Sequence, residues 1–109
     1  METLHVTELK DFAAREPELL LLDVREPWEV ALARIDLPGV ARLDMPMHTV
    51  PARLSELNRS QPVVCICHHG GRSAQVVAFL QRQGHTRVYN LAGGLDAWST
   101  QVDSAVPRY

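Results

Sequence analysis

Leu19-Leu20-Leu21-Leu22-Asp23-Val24 decides how the rest of the chain reads. The run is continuously apolar where a half-buried strand would alternate, and Pro17 before it and Pro27 after it bound it too tightly for a helix. A strand of this kind is covered on both faces, which points to a parallel sheet between layers of helix.

Working outward, Leu4-His5-Val6 is a short extended segment. Thr7 is the expected N-cap of a helix whose apolar residues Leu9, Phe12 and Ala13 recur at three and four, ending before Pro17. On the other side, Glu26-Pro27-Trp28-Glu29 sets Pro at a first helical position among acids, predicting a short helix to about Arg34. Leu37-Pro38-Gly39 is a turn and Val40-Ala41-Arg42-Leu43 a short strand. A helix is expected from Pro51 through Leu54 and Leu57 to the polar break Asn58-Arg59-Ser60. Pro62 to Cys67 reads as the core strand. Ser73 to Gln83, apolar at 74, 76, 77, 79 and 80, reads as an amphipathic helix stopped at Gly84. Arg87 to Leu91 is a fifth strand, and Gly93-Gly94 turns into a last helix from Leu95 to about Gln101. Strands alternating with helices, without repeat or linker, lead us to expect one α/β domain over residues 1–109. Its core covers about residues 3–101, with five mostly parallel strands flanked by helices on both faces, and the tail 102–109 is expected to be irregular.

Composition narrows the functions. At 109 residues and 46% hydrophobic, the chain buries on the order of two-thirds of its unfolded surface, so no disulfide or metal is needed to hold a core. The two cysteines, Cys65 and Cys67, lie in one apolar run and lack the spacing of a disulfide framework or a zinc site. Ten of the eleven basic residues are Arg, scattered singly among 13 acids for a net charge of −2, so no nucleic-acid partner is expected. The longest apolar stretch, Val63 to Cys67, is far too short to cross a membrane, and the polar opening Met1-Glu2-Thr3-Leu4-His5 is unlike an export signal. A cytoplasmic location follows as the expectation.

Ligands of open parallel sheets collect beyond the strand carboxyl ends. There the sequence reads Cys67-His68-His69-Gly70-Gly71-Arg72-Ser73 and runs straight into a helix. Successive N–H groups of such a loop can form a nest with the positive end of the helix behind it, a setting that favours a sulfur anion. Gly70 and Gly71 let the backbone curl, and Arg72 supplies a fixed charge able to fork onto an oxyanion. Together they describe a nucleophilic Cys67 facing an anionic substrate.

Cys-x-x-Gly-x-Arg-Ser after a buried strand resembles the active-site loop of the rhodanese sulfurtransferase family. Asp23-Val24-Arg25-Glu26-x-x-Glu29 resembles that family's first signature, and Asn90-Leu91-Ala92-Gly93-Gly94-Leu95-Asp96-Ala97-Trp98 its C-terminal one. The three, in order and spacing, are similar to a single-domain rhodanese over roughly residues 3 to 101. The resemblance implies that Cys67 takes a sulfane sulfur from a donor such as thiosulfate, becomes a persulfide and passes the sulfur to cyanide or a thiol. The amides of His68 to Ser73 would cradle the outer sulfur, Arg72 would orient the loop, and no metal or cofactor would be used. A protein-to-protein persulfide carrier is the alternative, and an idle interaction domain is a third reading. The loop is Cys-x4-Arg, one residue tighter than the Cys-x5-Arg of related phosphatases and arsenate reductases, which favours sulfur over phosphate. One departure is Arg34-Ile35-Asp36-Leu37-Pro38-Gly39-Val40, where the family often shows His-Ile-x-Gly-Ala.

The remaining polar residues have plainer readings. Asp23, Arg25 and Glu29 are expected to form ion pairs that support the loops beside the site. His68 and His69 are expected to point apart and face solvent at the rim, partly protonated. His5, His48 and His85 are expected at the surface, and Arg42 and Arg53 on solvated faces. Cys65, about 6.6 Å from Cys67 along an extended strand, is expected to pack in the core, as is Trp98.

Overall fold

The computed structural model describes residues 2–109. Five strands, β1 (Thr3–His5), β2 (Leu20–Asp23), β3 (Ala41–Asp44), β4 (Val63–Ile66) and β5 (Val88–Ala92), form one sheet in the order β1-β5-β4-β2-β3. Every neighbouring pair is parallel. The α-helices are α1 (Leu9–Arg15), α2 (Pro27–Leu32), α3 (Gly71–Arg82) and α4 (Gly94–Gln101).

The leucine run divides between two apolar layers, as the pleat requires. Leu20 and Leu22 join Val63, Cys65 and the α3 residues Val76, Val77 and Leu80 on one face. Leu19 and Leu21 join Leu9, Ile35, Val64, Leu95 and Trp98 on the other. Both layers are closed to water, which is why the strand could be apolar throughout.

Two expected elements differ. The segment after Pro51 is not an α-helix: it forms a 3-10 turn at Leu54–Glu56, and another 3-10 turn, Met47–Thr49, precedes it. Pro46 and Pro51 remove two amide donors there, and the bonds that remain, such as Val50 N–H to the Met47 carbonyl at 3.3 Å, are largely of the i→i+3 kind. Thr7 is not an N-cap either, because Val6–Glu8 forms a 3-10 turn that leads into α1. The Glu8 carboxylate instead accepts the His5 N–H at 3.0 Å.

His85 is the third correction, since it is only 3% exposed. Gly84 turns left-handed at φ +92 and the His85 N–H closes on the Leu80 carbonyl at 3.0 Å, which swings the ring inward. Burial, with Arg59 nearby, pushes its pKa below the ordinary histidine value. His5 and His48 are exposed. The tail after Val102 has no helix or strand, yet it is anchored: Val106 packs on the core and Arg108 pairs with Asp96 at 3.0 Å.

Candidate active site

The parallel register brings Asp23 at the end of β2 level with Ile66 at the end of β4, and Cys65 level with Asn90 on β5. Cys67 is the first residue beyond β4 and is 1% exposed. Its Sγ accepts the Gly70 N–H at 3.0 Å and the Ser73 N–H at 3.4 Å, and the Ser73 hydroxyl lies 3.3 Å away. The loop therefore curls around the sulfur with amide hydrogens pointing in.

The carbonyl side of the loop is tied outward, and that is what turns the amides inward. The first turn of α4 donates Leu95 N–H to the Cys67 carbonyl at 2.9 Å and Asp96 N–H to the His68 carbonyl at 3.0 Å. Gly94 makes this approach possible: a Cβ there would stand 2.3 Å from the Cys67 oxygen and 2.6 Å from the His68 oxygen. The Gly70 carbonyl accepts Asn90 Nδ2 at 3.1 Å, and the Ser73 hydroxyl donates to Asn90 Oδ1. Gly70 itself sits at φ +104, a conformation for which glycine is the natural choice.

The charged residues pair in a chain behind this loop. Arg72 forks onto Glu29, Nη1 to Oε2 at 2.7 Å and Nη2 to Oε1 at 2.8 Å. It points at this carboxylate rather than offering a free fork to an oxyanion. The Arg72 hydrogen bonds hold the Glu29 pKa down at about 2, against the opposing effect of burial and with help from the Glu26 N–H. Arg25 is fully buried and forks onto Asp23 at 2.9 and 2.7 Å. Such pairs, with their lone pairs further satisfied, lock geometry more than they add stability.

Three side chains in this network were not foreseen. Arg42 is not on a solvated face: its Nη2 reaches Asp23 at 3.1 Å and its Nη1 the Ile35 carbonyl at 3.2 Å. Arg53 does pair at the surface, with Glu56 at 2.7 Å. Asn90 had been read only as part of a motif, with no role of its own. Tyr109, in the tail, brings its hydroxyl to Arg25 Nη1 at 2.9 Å and donates to Glu29 Oε1 at 3.0 Å. No local pattern marks Tyr109, because its partners lie 84 and 80 residues away.

Tyr109 also explains why the histidines differ from expectation. Its ring stacks on His68 at 3.9 Å and 7°, and His69 stacks on the other side of His68 at 4.0 Å. The two imidazoles lie together rather than apart, and only His69 is exposed. Burial and the neighbouring His69 push the His68 pKa below its ordinary value. Cys65 is wholly buried in the core, its thiol pushed up to about 12 by burial and by Cys67.

A doubly covered parallel sheet thus holds the Cys67 sulfur in an amide nest beyond a central strand, an arrangement able to stabilise negative charge on sulfur. The chain belongs to the rhodanese-like domain family, which it matches over residues 5–101. It is 44% identical over 82 residues to a sulfurtransferase of Allochromatium vinosum, covering 75% of this chain and 73% of that protein. It is 34% identical over 88 residues to the thiosulfate sulfurtransferase GlpE of Pseudomonas syringae, covering 81% and 79%. A rhodanese-like domain protein of Staphylococcus aureus superposes with a TM-score of 0.79 at 29% identity, over 100% of this chain and 99% of that one.

Proposed function

We propose that this protein transfers a sulfane sulfur from thiosulfate or a related donor to a thiophilic acceptor, cyanide or a thiol, through a persulfide on Cys67. The observation that carries the reading is the cradle itself: two loop amides and a hydroxyl within 3.4 Å of one sulfur. Cys67 attacks the outer sulfur of the donor, the sulfur–sulfur bond of the donor breaks, and its remainder departs with the electron pair. The acceptor then attacks the outer sulfur of the persulfide and restores Cys67. The loop amides hold negative charge on sulfur in both steps. Glu29, through Arg72, and Asp23, through Arg25, keep the flanking loops in register, and no metal or organic cofactor takes part. Both thiols are free, which suits a reducing cytoplasmic location, and residues 3–101 act as the one domain, with the tail docked on it.

Intact mass after incubation with thiosulfate tests this. A gain of about 32 Da, one sulfur per chain, is expected for the wild type and for Cys65→Ser, and none for Cys67→Ser. An adduct that survives in Cys67→Ser and vanishes in Cys65→Ser would overturn the assignment of the nucleophile.

A persulfide carrier fed by another protein is the second reading, and one observation favours it. The two large exposed apolar side chains of the described residues, Trp28 at 63% and Leu32 at 51%, both lie on α2, the helix that holds Glu29 against the loop. Slow turnover on small donors with fast transfer from a protein persulfide would distinguish the carrier.

A further inference from the structure

We propose that Tyr109 determines donor specificity: with His68 and His69 it forms an aromatic wall beside the Cys67 loop that favours organic sulfane donors over the thiosulfate dianion. This rests on the Cys67 persulfide reading and says which donors that site accepts. Two independent observations carry it. First, the three rings form one continuous stack, and His68, its middle member, directly follows the nucleophile. Trp28 lies nearly perpendicular to Tyr109, ring centroids 6.4 Å apart, and extends the aromatic surface.

Second, the guanidinium groups around the loop are already neutralised. Arg72 is taken by Glu29, Arg25 by Asp23, Arg42 by Asp23 and Asp44, and Arg108 by Asp96. A divalent anion entering here meets paired cations and must compete with carboxylates already in place, whereas a donor with an aromatic or alkyl group finds a ring surface to pack on. The Tyr109 hydroxyl, between Arg25 and Glu29, pins the ring in this position. The step balances without an oxidant: the Cys67 thiolate attacks the outer sulfur of R–S–SH, the sulfur–sulfur bond of the donor breaks, the persulfide forms and R–S⁻ leaves with the electron pair.

Benzenethiosulfonate and thiosulfate, with cyanide as acceptor, are suitable probes, because they deliver the same sulfur but differ by one charge and a ring. The readout is the ratio of kcat/KM for the two donors, compared between variants so that intrinsic donor reactivity cancels. Tyr109→Ala should lower the benzenethiosulfonate-to-thiosulfate ratio by about fivefold, mainly through KM for the aromatic donor. Tyr109→Phe, which keeps the ring, should hold the ratio within about twofold of wild type. Tyr109→Leu keeps apolar bulk without the ring and replaces Tyr109→Ala should that variant melt. A ratio unchanged by loss of the ring, with the mass adduct still formed, overturns the specificity role alone. No adduct from either donor overturns the persulfide reading, and this proposal with it.

Discussion

Replacing Gly94 by Ala probes the contact that shapes the site, and Gly71 in the loop provides its control. At Gly94 a methyl group would lie 2.3 Å from the Cys67 oxygen and 2.6 Å from the His68 oxygen, both backbone atoms unable to rotate aside, at a φ of +56 that side chains adopt with strain. Relief requires α4 and the loop to separate, which loses the Leu95 and Asp96 hydrogen bonds to those oxygens. Overpacking costs about 1–3 kcal/mol and each lost hydrogen bond about 0.5–1.5 kcal/mol, so Gly94→Ala should destabilise by about 2–6 kcal/mol. It should also lose most sulfur transfer, because the carbonyls that the helix holds outward set where the amides point. At Gly71 an added Cβ meets nothing within 4 Å and the backbone is already helical. Gly71→Ala should therefore be neutral or stabilising by up to about 1 kcal/mol. Denaturant melts of both variants, with persulfide formation measured alongside, decide the matter. A Gly94→Ala protein within about 0.5 kcal/mol of wild type and still forming the persulfide would refute the close-approach argument.

The Glu29–Arg72 pair makes a pH-dependent contribution. With its folded pKa near 2 and an ordinary value of 4.5 when unfolded, Glu29 stabilises the fold fully above about pH 4.5 and loses that contribution as pH falls through 2. Because Arg72 is one-third exposed, we expect about 2 kcal/mol. The stability gap between wild type and Glu29→Gln should narrow across that window, and a gap constant from pH 7 to 2 would contradict the pairing. Inserting one Gly between Gly70 and Gly71 widens Cys-x4-Arg to Cys-x5-Arg, and should abolish sulfur transfer while adding weak, Cys67-dependent hydrolysis of an aryl phosphate. Assayed side by side, appreciable phosphatase turnover in the unmodified protein would sink the loop-length argument.

What the chain declares locally is what local physics governs. Four leucines in a row cannot make a one-sided strand, so Leu19–Val24 alone determines a doubly covered sheet, and Cys67 followed by two glycines and Arg72 determines a curled loop at the end of a strand. The Pro51 segment misled because Leu54 and Leu57, three residues apart, satisfy the spacing of a 3-10 turn as well as that of an α-helix. The strand order, with β4 between β5 and β2, was beyond the sequence, since every parallel crossover satisfies the same apolar pattern. The same holds for the partners of single side chains. Arg72 looked ready for an oxyanion until the fold set Glu29 against it, and Arg42 looked solvated until β3 was laid beside Asp23. His68 looked exposed until Tyr109, 41 positions away in the sequence, covered its ring. Periodicity reports which face of an element is buried, but the identity of a partner many residues away is decided only when the whole chain closes on itself.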